Sequence, residues 1–271
     1  MRIIVLFIFI ATQTFSKTGA AFSDSTEKEI RLDTNKNINY EQSLLDTFVI
    51  LIKSNLSQLN ERSPMNFTFN NEVLIKIKNY LGKERSLISR MLGLSEYYFP
   101  LIEQQLDRFQ LPLELKYLAI VESSLNPTAR SSSGAVGLWQ FMYPTAKEYN
   151  LKITSYLDER QDPLKSTIAA CEYFEFLYKI FEDWDLVLAA YNAGPGHISR
   201  LMIKTEFDNY WDLRVSLSKE TRWYVPKFIA ISYAMTYYKQ HDIKKNSYDF
   251  SRNEKWDIFK ACAIKTKKAG F

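Results

Sequence analysis

Apolar residues recur at helical spacing along most of the chain. From Tyr40 to about Leu59, Leu44, Phe48, Leu51, Ile52 and Leu56 fall three or four apart, which predicts one amphipathic helix. Asn70 or Asn71 supplies the cap for a second helix ending near Gly82, and Arg85 to Leu92 reads as a third. A fourth starts at Ser95 and keeps the period through Tyr98, Leu101, Ile102, Leu106 and Phe109. Farther on, Leu164, Ile168, Cys171, Phe174, Tyr178 and Phe181 trace another stripe. Two stretches depart from the pattern. Residues 21–38 are polar, show no apolar period and are expected to form a flexible lead-in. Ile3 to Ala11 is continuously apolar, with Arg2 before it and Thr18, Gly19 and Ala20 after it. Such a run is shorter than the roughly 20 residues of a membrane-spanning helix, so residues 1–20 read as a secretory signal peptide, the alternative being an uncleaved anchor. An exported protein is expected.

Composition sharpens this. Only 8 of 271 residues are Gly and 8 are Pro, too few for the many turns of a β-sandwich or barrel, so a mostly α fold is expected. No Pro/Gly/Ser-rich linker divides residues 40–262. The chain is therefore read as a helical preamble (39–110) packed on one helical domain (111–240), followed by a Lys-rich tail (241–271). A net charge of +4, from 35 basic and 31 acidic residues, is too small and too mixed for a nucleic-acid binder. His197 and His241 stand far apart, and Cys171 and Cys262 lack metal-type spacing, so no metal or other cofactor is expected. Export would permit one disulfide, but Cys171 lies on a core stripe and is read as a buried free thiol.

Candidate chemistry begins at Pro112, a good first residue for a helix running from about Leu113 to Ser124. Its inward stripe is Leu115, Leu118, Ala119 and Glu122. This spacing sets a carboxylate on an apolar face at the end of a buried helix. Such a Glu either pairs with an Arg or caps a neighbour, or serves as a general acid whose pKa desolvation has raised.

The glycines narrow the choice. Half of them fall in two segments, Ser131-Ser132-Ser133-Gly134-Ala135-Val136-Gly137-Leu138-Trp139-Gln140 and Ala189-Ala190-Tyr191-Asn192-Ala193-Gly194-Pro195-Gly196. Each pair marks a tight turn or a place where a ligand approaches backbone. A helix stop accounts for the second pair but leaves Tyr191 and Asn192 unexplained; amide and phenol groups beside such turns suit sugar recognition. Trp139, Tyr143 and Trp184 are candidate stacking faces, at least two of which are expected in the core.

Glu122-Ser123, Gly137-Leu138-Trp139-Gln140, Ala190-Tyr191-Asn192-Ala193-Gly194 and Glu220-Thr221-Arg222-Trp223-Tyr224-Val225-Pro226 occur in that order. In this order they resemble the motifs of lytic transglycosylases of glycoside hydrolase family 23, chiefly the membrane-bound D type, over roughly residues 75–240. Tyr97-Tyr98-Phe99-Pro100 and Leu111-Pro112-Leu113-Glu114-Leu115 are similar too. The resemblance implies a goose-type lysozyme-like helical domain with a groove for peptidoglycan glycan strands. It implies Glu122 as acid/base, with Ser131 and Gln140 lining the site near it. Tyr191, Asn192 and Tyr224 match residues that contact sugar or hold the Glu, and Ser123 supports the helix end. Trp139 stands where many members carry Met, though Trp is common in the D type. D-type proteins often carry LysM wall-binding modules after this domain. The tail is shorter than such a module, so attachment is expected from the groove or from a partner protein of the cell envelope. The periplasm or envelope of a bacterium is the expected location, and a monomer the expected state.

Ordinary glycosidases use two carboxylates. Among Glu148, Asp158, Glu159 and Asp162, the last three read better as a charged loop with Asp162 capping the helix from Pro163. With one carboxyl, the resemblance implies that Glu122 protonates the bond between N-acetylmuramic acid and N-acetylglucosamine. The same group then deprotonates the muramoyl 6-hydroxyl, giving a 1,6-anhydro end. The alternatives are a hydrolytic muramidase on the same fold and a non-catalytic wall-binding protein.

Overall fold

The structure, a computed structural model, describes the backbone of residues 24–247 and the side chains of residues 42–247. The signal-peptide reading of 1–20 and Cys262 lie outside the described residues. The chain divides into two compact units between Ile50 and Leu51.

Helix α1 spans Asp24–Asn60. It takes in most of the segment expected to be a flexible lead-in. Between Asp24 and Asn60 there is no Gly or Pro, and Glu27, Lys28, Glu29 and Arg31 are good helix formers, so polarity alone does not break the helix. Helix α2, Asn71–Leu81, is capped by the Asn70 side chain, which accepts from the Val73 amide at 2.9 Å. Helix α3, Arg85–Arg108, merges the expected third and fourth helices. Gly93 keeps a helical backbone and is buried inside the helix rather than ending it, and Pro100 is carried inside the helix. The expected helix from Leu113 opens as a 3-10 turn, Leu113–Tyr117, and continues as α4, Leu118–Ser123.

Helices α5 (Tyr143–Glu148), α6 (Pro163–Phe181), α7 (Trp184–Ala193), α8 (Pro195–Thr205), α9 (Tyr210–Leu213), α10 (Lys219–Arg222) and α11 (Tyr224–Tyr237) follow. Isolated antiparallel bridges join Arg130 to Val136 and Val136 to Phe141, so the described fold is mostly α as expected. Helix α11 is buried around most of its circumference, with Val225, Phe228, Ile229, Tyr233 and Ala234 in the core, and forms the centre of the second unit. Helices α2, α3 and α7 all pack on it. Asp162 caps α6 through the Leu164 and Lys165 amides at 3.0 and 2.9 Å, as expected. Cys171 is a free, fully buried thiol whose pKa burial pushes up to about 12.

One buried acid yields a stability prediction. Asp185, in the first turn of α7, accepts from the Trp211 indole at 3.0 Å. Burial, reinforced by Asp183, raises its pKa to about 7. An acid raised in this way favours the fold most below its unfolded pKa, and loses that contribution as pH rises through about 7. Asp185→Asn keeps an acceptor for the indole and removes the buried charge. Thermal melts should therefore show a variant that gains on the parent as pH rises from 4 to 8, by about 3–4 kcal/mol. A gain independent of pH would contradict the burial argument.

Candidate active site

Glu122 sits in the last turn of α4. The helix stops there because Ser124 and Leu125 both take left-handed backbone, φ 52° and 57°. The Ser124 and Leu125 amides close back on the Ile120 and Ala119 carbonyls at 2.9 and 3.2 Å, while buried Leu125 anchors the turn. Two successive non-Gly residues in this conformation are strained, and the strain fixes where the carboxyl points.

The loop 129–141 forms the adjoining wall. The Gly137 amide bonds the Ala129 carbonyl at 2.9 Å, and Val136 and Phe141 exchange two bonds of 3.1 Å. Arg160 braces the loop from beneath. Its guanidinium donates to the Gly134 and Phe141 carbonyls, both at 3.1 Å, and bidentately to Asp158 at 2.9 and 2.8 Å. Gly137, at φ +90°, is the point of closest approach, since a Cβ there would run into the Arg160 carbonyl. Trp139 is fully buried, its indole donating to Thr167 at 2.9 Å.

Hydrogen bonds tie this loop to the helices that carry the other candidates. The Ser123 hydroxyl donates to the Leu138 carbonyl at 2.9 Å, and the Tyr191 hydroxyl donates to the Trp139 carbonyl at 2.7 Å. The ends of α4 and α7 are thus fastened to neighbouring carbonyls of one turn. Tyr224, the first residue of α11, donates its hydroxyl to Glu122 Oε1. Asn192 donates to Glu220 at 3.1 Å and accepts from the Thr221 hydroxyl at 2.8 Å. Gln140, itself at φ 49°, turns its amide back onto the Gly137 carbonyl at 2.8 Å. Ser131 is exposed and closes its own turn with the Ala135 amide at 2.9 Å. It makes no hydrogen bond to the other candidates.

Glu122 is half-buried at its surface, yet its carboxyl lies deep among protein atoms. Burial is the largest influence and raises its pKa to about 7. The Tyr224 hydrogen bond pulls it down, Glu220 pushes it up and Lys227 pulls it down. Burial, followed by the charge of Glu122, drives the Tyr191 and Tyr224 hydroxyls well above the usual phenol range, so Tyr224 remains a donor.

Of the aromatic candidates, Trp139 and Trp184 belong to the core, while Tyr143 is 54% exposed. Asp158 is held by Arg160, Glu159 by Lys165 and the Lys152 amide, and Asp162 by its cap, while Glu148 is exposed on α5. Sequence reasoning missed Glu220 and Lys227, the two charged side chains whose fields reach Glu122. Their signal was spacing, since both lie within four residues of Tyr224.

Residues 100–213 match the transglycosylase SLT domain family. The chain is 33% identical over 200 residues to membrane-bound lytic murein transglycosylase D of Escherichia coli K12, covering 72% of this chain and 43% of that protein. It is 29% identical over 163 residues to membrane-bound lytic murein transglycosylase F of Hahella chejuensis, covering 54% of this chain and 30% of that one. The chain thus spans less than half the length of these relatives. Among solved structures, the 70 kDa soluble lytic transglycosylase of Escherichia coli overlaps 55% of this chain and 26% of its own, with a TM-score of 0.44 and 25% identity. Residues 100–213 thus carry a transglycosylase SLT domain, and over 200 residues the chain is similar to the D-type lytic transglycosylase.

Proposed function

We propose that this chain is a peptidoglycan lytic transglycosylase that works with one carboxyl, Glu122, in the cell envelope. The observation that carries the reading is the place of that carboxyl: it lies in the last turn of the buried helix α4 and accepts the Tyr224 hydroxyl, and burial raises its pKa to about 7, so it can hold a proton and release it at neutral pH. Protonated Glu122 donates to the glycosidic oxygen between N-acetylmuramic acid and N-acetylglucosamine. The C1–O bond breaks, and the muramoyl acetamido oxygen stabilises the positive charge at C1. Glu122 is then a carboxylate, steadied by the Tyr224 O–H. It removes the proton from the 6-hydroxyl of the same sugar, whose oxygen closes on C1. The proton returns to Glu122, and the new end is a 1,6-anhydro sugar. Gln140, Tyr191, Asn192, Ser123 and Ser131 shape the groove around this exchange, with Tyr191 and Ser123 acting through the turn they pin.

Glu220 favours a second reading. Its carboxyl lies close enough to Glu122 to raise the latter's pKa, and it is exposed, so a water activated there would make the chain a hydrolytic muramidase. Mass spectrometry of digested sacculi separates the two. The proposal expects muramoyl ends one water lighter than reducing ends; reducing ends alone would replace it with hydrolysis.

A further inference from the structure

Around the start of α11, whose Tyr224 bonds Glu122, the fold gathers two ammonium groups that the acid–base cycle does not use. Lys227 follows Trp223 by four residues and Tyr224 by three, so the three share one face at the start of α11. Lys76 comes from α2, which packs along α11, and its ammonium stands over the Trp223 ring, 5.0 Å from the centroid. Both lysines are half-buried. Burial, followed by the charge of Lys227, lowers the pKa of Lys76. Among the described residues neither lysine forms an ion pair; exposed Glu84 acts on Lys76, and Glu122 feels Lys227, only at longer range. Two like charges drawn together out of water without a counterion weaken a fold. Gathered at the turn of α11 that carries Tyr224, the residue bonded to Glu122, such a pair is suited to a negative charge carried by the substrate.

We infer that Lys76 and Lys227, backed by Trp223, form an anion subsite that receives a carboxylate borne by the lactyl side of the muramoyl residue being cleaved. The inference rests on the glycan-cleaving reading above and adds a substrate feature to it. Two sources supply that chemistry: the carboxylates of the stem peptide, or the lactyl carboxylate itself once the peptide has been removed. The cation–π contact sets the Lys76 ammonium in place, and Lys227 brings the anion within reach of Glu122. A carboxylate seated there also offsets the pull of Lys227 on Glu122, which keeps the acid protonated for the first step.

The test is a binding titration of the full chain carrying Glu122→Gln, which leaves the strands uncut, with and without Lys76→Met. Three soluble glycans are used: stem-bearing strands, amidase-stripped strands, and strands whose carboxyls have been converted to neutral amides. The added Lys76→Met is expected to weaken binding roughly tenfold to the carboxylated form that is recognised. Loss on stem-bearing strands identifies the peptide, and loss on stripped strands identifies the lactyl group. Binding to amidated strands stays unchanged, and the Lys76→Met chain melts no lower than its parent, because a repulsion is relieved. Equal loss on the neutral strands, no loss on any strand, no binding to any strand, or a lower melting temperature overturns the subsite. The titration reads binding alone, so a wild-type chain that leaves sacculi intact refutes the proposed activity without deciding the subsite.

Discussion

Glu122→Gln is expected to abolish turnover and, above neutral pH, to leave a more stable protein. The two effects share one cause. Gln is isosteric, and its amide oxygen still accepts the Tyr224 hydroxyl, so the bracket around α4 and α11 is kept. It holds no transferable proton, so turnover should fall by at least the ~10²–10⁴ typical of acid–base catalysis. In the native chain the folded pKa is about 7, against 4.5 for the unconstrained group. An acid raised in this way supports folding fully below about 4.5 and loses that support as pH climbs through about 7. The Gln variant carries no such penalty and should exceed the parent by about 1–3 kcal/mol at pH 8, with a much smaller margin at pH 4.5. The native kcat/KM should decline tenfold per pH unit above about 7, where the donor is lost. Muropeptide release and melting curves at the two pH values check both halves. An active Gln variant removes Glu122 from the acid role, and a margin equal at both pH values removes burial as the source of its reactivity.

The same trade between stability and chemistry explains what the sequence made legible. The buried position of Glu122 was readable because a carboxylate on the stripe Leu115, Leu118, Ala119 conflicts with the apolar pattern, and local conflicts of this kind are where function is sought. The core positions Ile52, Leu56, Leu106 and Cys171 followed from periodicity for the complementary reason: each agrees with its helix and is buried. The fusion at Gly93 was not legible, because a buried Gly within a helix and a Gly at a helix stop look alike until the neighbour that packs on it is known. The role of Ser123 and Tyr191 was hidden in another way. Ser123 was read as a support for the helix end and Tyr191 as a group that contacts sugar or holds the Glu, but neither reading names the partners their hydroxyls take, the Leu138 and Trp139 carbonyls, contacts spanning 15 and 52 residues of chain. Glu220 and Lys227 escaped because their effect on Glu122 depends on the fold bringing α4 against α11.

Gly137→Ala should severely destabilise the second unit, and Gly134→Ala, three residues away, supplies its control. Both glycines have left-handed backbone, φ +90° and +88°, so an alanine at either incurs a conformational cost of about 1–3 kcal/mol. They differ in surroundings. A Cβ at Gly134 meets nothing within 4 Å, whereas at Gly137 it overlaps the Arg160 carbonyl oxygen and lies 2.8 Å from its carbon. That carbonyl cannot retreat, because the Arg160 side chain is tied to Asp158 and to the Gly134 and Phe141 carbonyls. The overlap therefore adds an overpacking cost of about 1–3 kcal/mol, and the total approaches the whole stability of a typical domain at its lower end. Denaturant midpoints should fall for Gly134→Ala and clearly farther for Gly137→Ala. Where the latter still folds, at low temperature, the turn that Ser123 and Tyr191 hold must shift, and activity should drop well beyond the fraction unfolded. Equal midpoints for the two variants would mean that Arg160 gives way, and that the loop beside Glu122 is not the rigid wall on which single-carboxyl chemistry depends.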